Sequence, residues 1–205
     1  MEIQQTIAIL MNKPTKLSAL LPLLLVSLHA SAVSPISSPL VNPSNNHTYY
    51  LLSSASWTDS EAFAQTMGGH LVAINDAAEN SWVFSTFFSL TPAPAPSLWI
   101  GLTDQSSEGT FFWANGEPVT FTSWYFGEPN NTPNIDPTGE DFVSMRGPQN
   151  PLPSTWNDLP NAGGGEVGSV FGVVEVVPEP QALQIFAIGL TALLIYSGNR
   201  IRNRA

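Results

Sequence analysis

The sequence contains no cysteine. That excludes a disulfide framework and any thiolate metal site, and it removes a source of stability common in exported domains. Basic residues are nearly as scarce. They are Lys13, Lys16, Arg146, Arg200, Arg202 and Arg204, so between Val33 and Pro180 Arg146 stands alone. Fifteen of the sixteen acids lie in that same stretch, which leaves it a formal charge of −14. Such a surface repels phosphate and has no basic face, so nucleic acid is excluded as a partner, whereas divalent cations suit it. Histidine is limited to His29, His47 and His70, and no nucleophile–base set stands out. The apolar run from Ala182 to about Tyr196 is short of the about 20 residues that a bilayer-spanning helix needs. What remains is a 205-residue chain with enough apolar content for one core and room for targeting segments.

Both ends read as addresses. Lys13 and Lys16 precede an apolar run from Leu17 to Leu28, and Ala30-Ser-Ala32 comes next. That is the charged region, apolar region and small-x-small cleavage site of a secretory signal peptide, here residues 1–32. No positive charge precedes Met11, so Met11 competes with Met1 as the start. At the other end, Val177-Pro-Glu-Pro180 leads into the apolar run and then into Arg200, Arg202 and Arg204. Arginines beyond an apolar segment stay cytoplasmic, which leaves the domain outside and the tail in the membrane, at least transiently. Residues 178–205 resemble the PEP-CTERM sorting signal of Gram-negative bacteria. The resemblance implies processing by an exosortase, often in organisms that make exopolysaccharide. A permanent single-pass anchor is the alternative, and either places the domain at the cell surface, the outer membrane or the extracellular matrix.

Residues 33–46, rich in Pro, Ser and Asn, read as a spacer, and the folded domain is expected over 47–177. Tyr49 begins a strand. A helix is predicted from Trp57 to Met67, with Thr58 or Asp59 as N-cap and Gly68-Gly69 as its stop. A second helix is predicted after Asn75-Asp76-Ala-Ala-Glu79, a capping-box-like start, and ends before Pro92–Pro96. Leu98–Leu102, Phe111–Trp113, Phe142–Met145 and Val170–Val177 read as strands. Gly127–Gly139 reads as one long irregular loop. Two early helices, short antiparallel strands and one long loop make an α+β domain. Trp82, Trp99, Trp113 and Trp156 are expected in the core, and His70 in a structural role. Trp124 and Tyr125 divide evenly between core and ligand contact.

The long loop and the strands beyond it hold the chemistry. Glu128, Asn130, Glu140, Asn157 and Asp158 are five oxygen donors that converge if the loop folds back against the later strand. Carboxylates mixed with amide carbonyls suit Ca²⁺ better than Mg²⁺. Pro129 between two of them suggests a cis bond that turns both side chains toward one point. On spacing alone, solvated loop acids are an equal alternative.

Trp57–Leu71 (W-x₄-A-x₅-GGHL), Trp99-Ile-Gly-Leu102, and Glu128-Pro129-Asn130 with Trp156-Asn157-Asp158 after it, in that order, resemble the C-type lectin domain from about Tyr49 to Glu175. The resemblance implies that Glu128, Asn130, Glu140, Asn157 and Asp158 hold one calcium ion and bind two neighbouring sugar hydroxyls. The Glu-Pro-Asn form implies a mannose/glucose-type ligand. A second calcium site is implied at Asp104, Glu108 and Asp141, weakened because Asn131 stands where that family often has Asp. The four cysteines usual in the family are replaced by Ala64, Phe142, Asn161 and Val174, so packing is expected to stand in for the bridges. The expected function is calcium-dependent carbohydrate binding without enzymatic activity. A protein-binding or matrix structural module on the same fold is the alternative.

Overall fold

Residues 32–92, 97–133, 139–163 and 169–178 are described by the structure, a computed structural model. The predicted signal peptide, apart from Ala32, and the predicted sorting segment, apart from Pro178, lie outside these residues. So does most of Pro92–Pro96. Among the described residues no helix is long and apolar enough to cross a membrane.

In chain order the elements are β1 (Leu40–Val41), β2 (Thr48–Ser54), α1 (Trp57–Thr66), β3 (His70–Leu71), α2 (Ala77–Phe88), β4 (Ser97–Thr103), β5 (Phe112–Trp113), β6 (Phe142–Arg146), β7 (Trp156–Leu159) and β8 (Val170–Val176). Helix α1 is capped by Ser56 rather than Thr58 or Asp59, because the Ser56 hydroxyl accepts from the Asp59 N–H at 3.1 Å. Its C-terminal end is closed by the Gly69 N–H on the Ala64 carbonyl. Helix α2 has the expected start: Asp76 accepts from the Glu79 N–H, and Glu79 reaches back to the Asn75 N–H.

The strands form one sheet in the order β1-β2-β8-β4-β6-β7, with β3 also on β8 and β5 on β4. The sheet is mixed rather than purely antiparallel, since β8 lies parallel to β4 and antiparallel to β2. The last strand is thus inserted at the centre, where six of its seven residues are buried, Glu175 among them. Strand β4 is buried at all seven positions. The segment read as a spacer runs along β2: β1 pairs with it, and the Ile36 N–H reaches the Leu51 carbonyl.

Trp57, Trp99, Trp113 and Trp156 are buried, and Trp82 packs half-buried against the main core. Trp57 and Trp99 donate their indole N–H to backbone carbonyls, and Trp156 donates to Asn80 Oδ1. His70 pairs with Glu61 at 2.6 Å, the structural role expected of it. The Tyr49 hydroxyl lies 2.7 Å from Glu79 and 2.8 Å from Glu175, and so joins α2 to β8.

Of the four residues expected to stand in for cysteines, Ala64 and Val174 pack with Leu52 in a small cluster under α1. Phe142 stacks 4.9 Å from Trp57. Asn161 holds the start of α1 through three hydrogen bonds: two to Thr58 and one from the Trp57 N–H to its own carbonyl. All four residues are thus engaged in packing or hydrogen bonds.

Candidate metal and ligand site

The site is assembled on β7, the edge strand. Trp124 bridges to Trp156, the Trp156 N–H reaches the Ser123 carbonyl at 2.7 Å, and the Tyr125 N–H reaches the Trp156 carbonyl at 2.9 Å. Tyr125 to Glu128 then form a turn closed by the Glu128 N–H on the Tyr125 carbonyl at 3.0 Å. Gly127 has φ of 90° in that turn, a conformation that favours glycine. The Glu128–Pro129 bond is cis, in agreement with the sequence expectation.

Beyond it the chain folds back. Asp158, 1% exposed, accepts from the Asn130 N–H at 3.1 Å and from the Asn131 N–H at 2.8 Å. Glu140, also buried, accepts from the Thr132 N–H, while its own N–H donates to Asn131 Oδ1. Gly139 has φ of 99°, and an added Cβ there would collide with Asn131 Oδ1, so a larger residue would push this contact apart. The loop thus folds back against β7 and brings the backbone of Asn130 and Asn131 to Asp158 and that of Thr132 to Glu140.

The electrostatics arise from that closeness. Burial raises the Glu128 pKa to about 7, assisted by the charge of Asp158, a hydrogen bond with it and the charge of Glu140; Arg146 opposes. Burial also raises Glu140, with Asp158 adding to the shift and the Thr132 N–H opposing it. Glu128 Oε2 is buried with no hydrogen-bond partner among the described residues. Three carboxylates that repel one another, one of them with an orphaned oxygen, form an arrangement that a divalent cation would relieve. Even so, no three His, Asp or Glu side chains among the described residues are gathered as a ready metal cluster. Two of the five expected ligands are asparagines, and both Asp158 oxygens face backbone N–H groups.

The second expected set is looser. Asp104 is 2% exposed, and its Oδ2 accepts from the Gly109 N–H at 2.8 Å while Oδ1 has no partner among the described residues. Burial raises its pKa to about 6, with the charges of Glu108 and Asp141 adding to the effect. Glu108 is exposed. Asn131 Oδ1 accepts from the Glu140 N–H and lies where a Cβ on residue 139 would be.

One residue escapes a reading of the sequence alone. Of the consecutive aromatics before the site, Trp124 packs against Phe111 and Trp156, and Tyr125 lies 3.7 Å beneath the Arg146 guanidinium. Phe126 is 91% exposed. Nothing in the sequence distinguishes it from its two neighbours, because the difference lies in the turn.

Residues 53–160 match the family described as "Lectin C-type domain". The alpha-N-acetylgalactosamine-specific lectin of Patiria pectinifera is 36% identical over 99 residues, covering 48% of this chain and 55% of that protein. The low affinity immunoglobulin epsilon Fc receptor of Mus musculus is 34% identical over 110 residues, covering 54% of this chain and 29% of that protein. The chain thus spans about half, or less, of the length of these two relatives. The EPNH mutant of CEL-I, a C-type lectin from Cucumaria echinata, superposes with a TM-score of 0.57 at 26% identity, covering 70% of this chain and 96% of that one.

Proposed function

The chain belongs to the C-type lectin domain family, and on that premise we propose that its domain binds carbohydrate through a calcium ion held by Glu128, Asn130, Glu140, Asn157 and Asp158. As a C-type lectin domain it is a binding module, not an enzyme. The observation that carries the proposal is the orphaned, buried Oε2 of Glu128 beside the carboxylates of Asp158 and Glu140. Calcium supplies a hard cation whose remaining coordination positions accept sugar hydroxyl oxygens. The chain's own residues do the rest. Carboxylates of the set accept the hydroxyl hydrogens, and the Asn130 and Asn157 amides donate to the hydroxyl oxygens, so that charge-assisted bonds fix the orientation of the pair.

The ligand proposed is of mannose/glucose type, on the strength of Glu128-Pro129-Asn130. One relative is named for N-acetylgalactosamine, so competition between mannose and galactose discriminates the two ligand types. A second calcium ion at Asp104, Glu108 and Asp141 is supported by the unpartnered Asp104 Oδ1. The alternative, a protein-binding or matrix structural module, is favoured by one observation, the likeness to an immunoglobulin receptor. The chain's ends support export by the signal peptide of residues 1–32. They also support sorting through a PEP-CTERM segment by an exosortase to the surface, outer membrane or exopolysaccharide matrix of a Gram-negative bacterium.

The decisive variants are Glu128→Gln and Asn157→Asp, which keep size and change charge or donor. Extracellular calcium modules bind at about 10⁻⁴ to 10⁻³ M. At about 1 mM calcium, mass action then stabilises the wild type by up to about 1.4 kcal/mol. Glu128→Gln is expected to lose most of that gain in a thermal melt and, in parallel, its retention on a mannose column, with galactose a poor competitor. Loss of the calcium effect with partner binding intact would replace the sugar reading by the protein-binding one. If neither changes, the loop acids are a solvated surface.

A further inference from the structure

We infer that Phe126 is a ligand-contact residue, which takes the apolar face of a second sugar ring or of an aglycone beside the hydroxyl pair bound at Glu128. The inference rests on the carbohydrate reading above.

The ring is exposed where its neighbours are not. Trp124 is packed into the core and Tyr125 is covered by Arg146, yet Phe126 leaves 91% of its surface in water. A phenylalanine so exposed gains almost nothing from burial in the fold, so its apolar surface is available to a ligand. The backbone on either side of it is anchored. Tyr125 is hydrogen-bonded to β7, Glu128 closes the turn onto Tyr125, and Gly127 provides the positive φ between them. A rigid ring with two side-chain torsions loses little freedom when a ligand covers it.

Position and chemistry agree with this. Two residues of chain separate the Cα atoms of Phe126 and Glu128 by at most about 7 Å, so a group joined to a sugar at Glu128 lies within reach. The proposed ligand set consists of carboxylates and amides, which address the hydroxyl pair and leave the apolar face of a group joined to that sugar without a partner. Phe126 supplies that partner. Burying part of one ring face corresponds to about a three- to tenfold gain in affinity.

The experiment uses the full chain with calcium present, titrated with methyl α-D-mannoside, with its 4-nitrophenyl analogue and with a mannose disaccharide. Phe126→Ala is expected to keep the calcium-dependent thermal gain and to hold methyl mannoside within about twofold. It is expected to bind at least one larger ligand about three- to tenfold more weakly. Loss on the disaccharide identifies a second ring, and loss on the nitrophenyl glycoside an aglycone. Phe126→Trp should match or exceed the wild type on the same ligand. Unchanged affinity of Phe126→Ala for all three ligands, while the wild type binds them, overturns the inference alone. A dimer that dissociates in Phe126→Ala with sugar affinity intact also overturns it, by making Phe126 a self-association residue. So does loss of the calcium gain, which would mean that the ring only holds the loop. A wild type that binds none of the three removes the carbohydrate reading, and the inference with it.

Discussion

Glu128 combines burial, an unpartnered oxygen and two acidic neighbours, so its ionised form is costly in the metal-free protein. Its pKa in the folded state, about 7, exceeds the ordinary value of 4.5. Asp104 is raised from 3.8 to about 6, and Glu140 is raised as well. A carboxylate with a raised folded pKa contributes stability below its unfolded pKa, and that stability is lost as pH rises through the folded value. The chelated, metal-free protein is therefore expected to melt at progressively lower temperature between about pH 4.5 and 7.5. Calcium should flatten the decline, and so should Glu128→Gln without calcium. Glu175, raised mainly by burial, shares the same sign and forms a background that Glu128→Gln leaves in place. Melts with chelator that do not vary with pH would show these carboxylates to be freely solvated. Glu128 and Asp158 are legible as candidates in the sequence because residue type declares an oxygen donor. Phe126 is not, since exposure is set by the turn and not by the residue.

The start of α1 is held by Asn161, one of the residues expected in place of a cysteine. Asn161 there accepts from the Thr58 N–H at 3.0 Å and donates to the Thr58 hydroxyl at 2.9 Å. Asn161→Ala removes both, and for a half-buried group the expected cost is about 1 kcal/mol in urea unfolding, with calcium affinity unchanged. An unchanged unfolding midpoint would mean that Phe142 and Trp57 alone secure this corner. Helices α1 and α2 can be read from the sequence because apolar spacing and caps are local. The N-cap of α1 differs from expectation because Ser56, Thr58 and Asp59 can all accept a backbone N–H, and only the fold selects Ser56. Strands β3 and β7 leave no mark in the sequence because two to four residues carry no period to read.

For the whole molecule, the acidic stretch and the two basic ends predict different fates for different parts of the chain. Export by the proposed signal peptide implies a mature protein that starts near Val33, measurable by N-terminal sequencing of surface material. Recovery of the intact Leu17–Leu28 run would refute it. Deletion of Arg200–Arg204 is expected to leave an unprocessed or mislocalised form, seen as a shift in mass and fractionation, whereas an unaltered mass and location would make the tail dispensable. The domain between is held together by strands distant in sequence, with β8 between β2 and β4.

Local chemistry is sufficient to identify the two helices, the cores of β2, β4, β5, β6 and β8, the tryptophan core and five candidate oxygen donors. Each rests on a residue type or a short-range period that needs no partner to be recognised. The parallel pairing of β4 with β8 and the docking of residues 33–46 on β2 depend on tertiary contacts. So do the folding of Asn130 and Asn131 onto Asp158 and the exposure of Phe126. A backbone N–H, a carboxylate or an aromatic ring can be satisfied in many ways, and which way wins is decided by what the rest of the chain brings within about 3 to 4 Å of it.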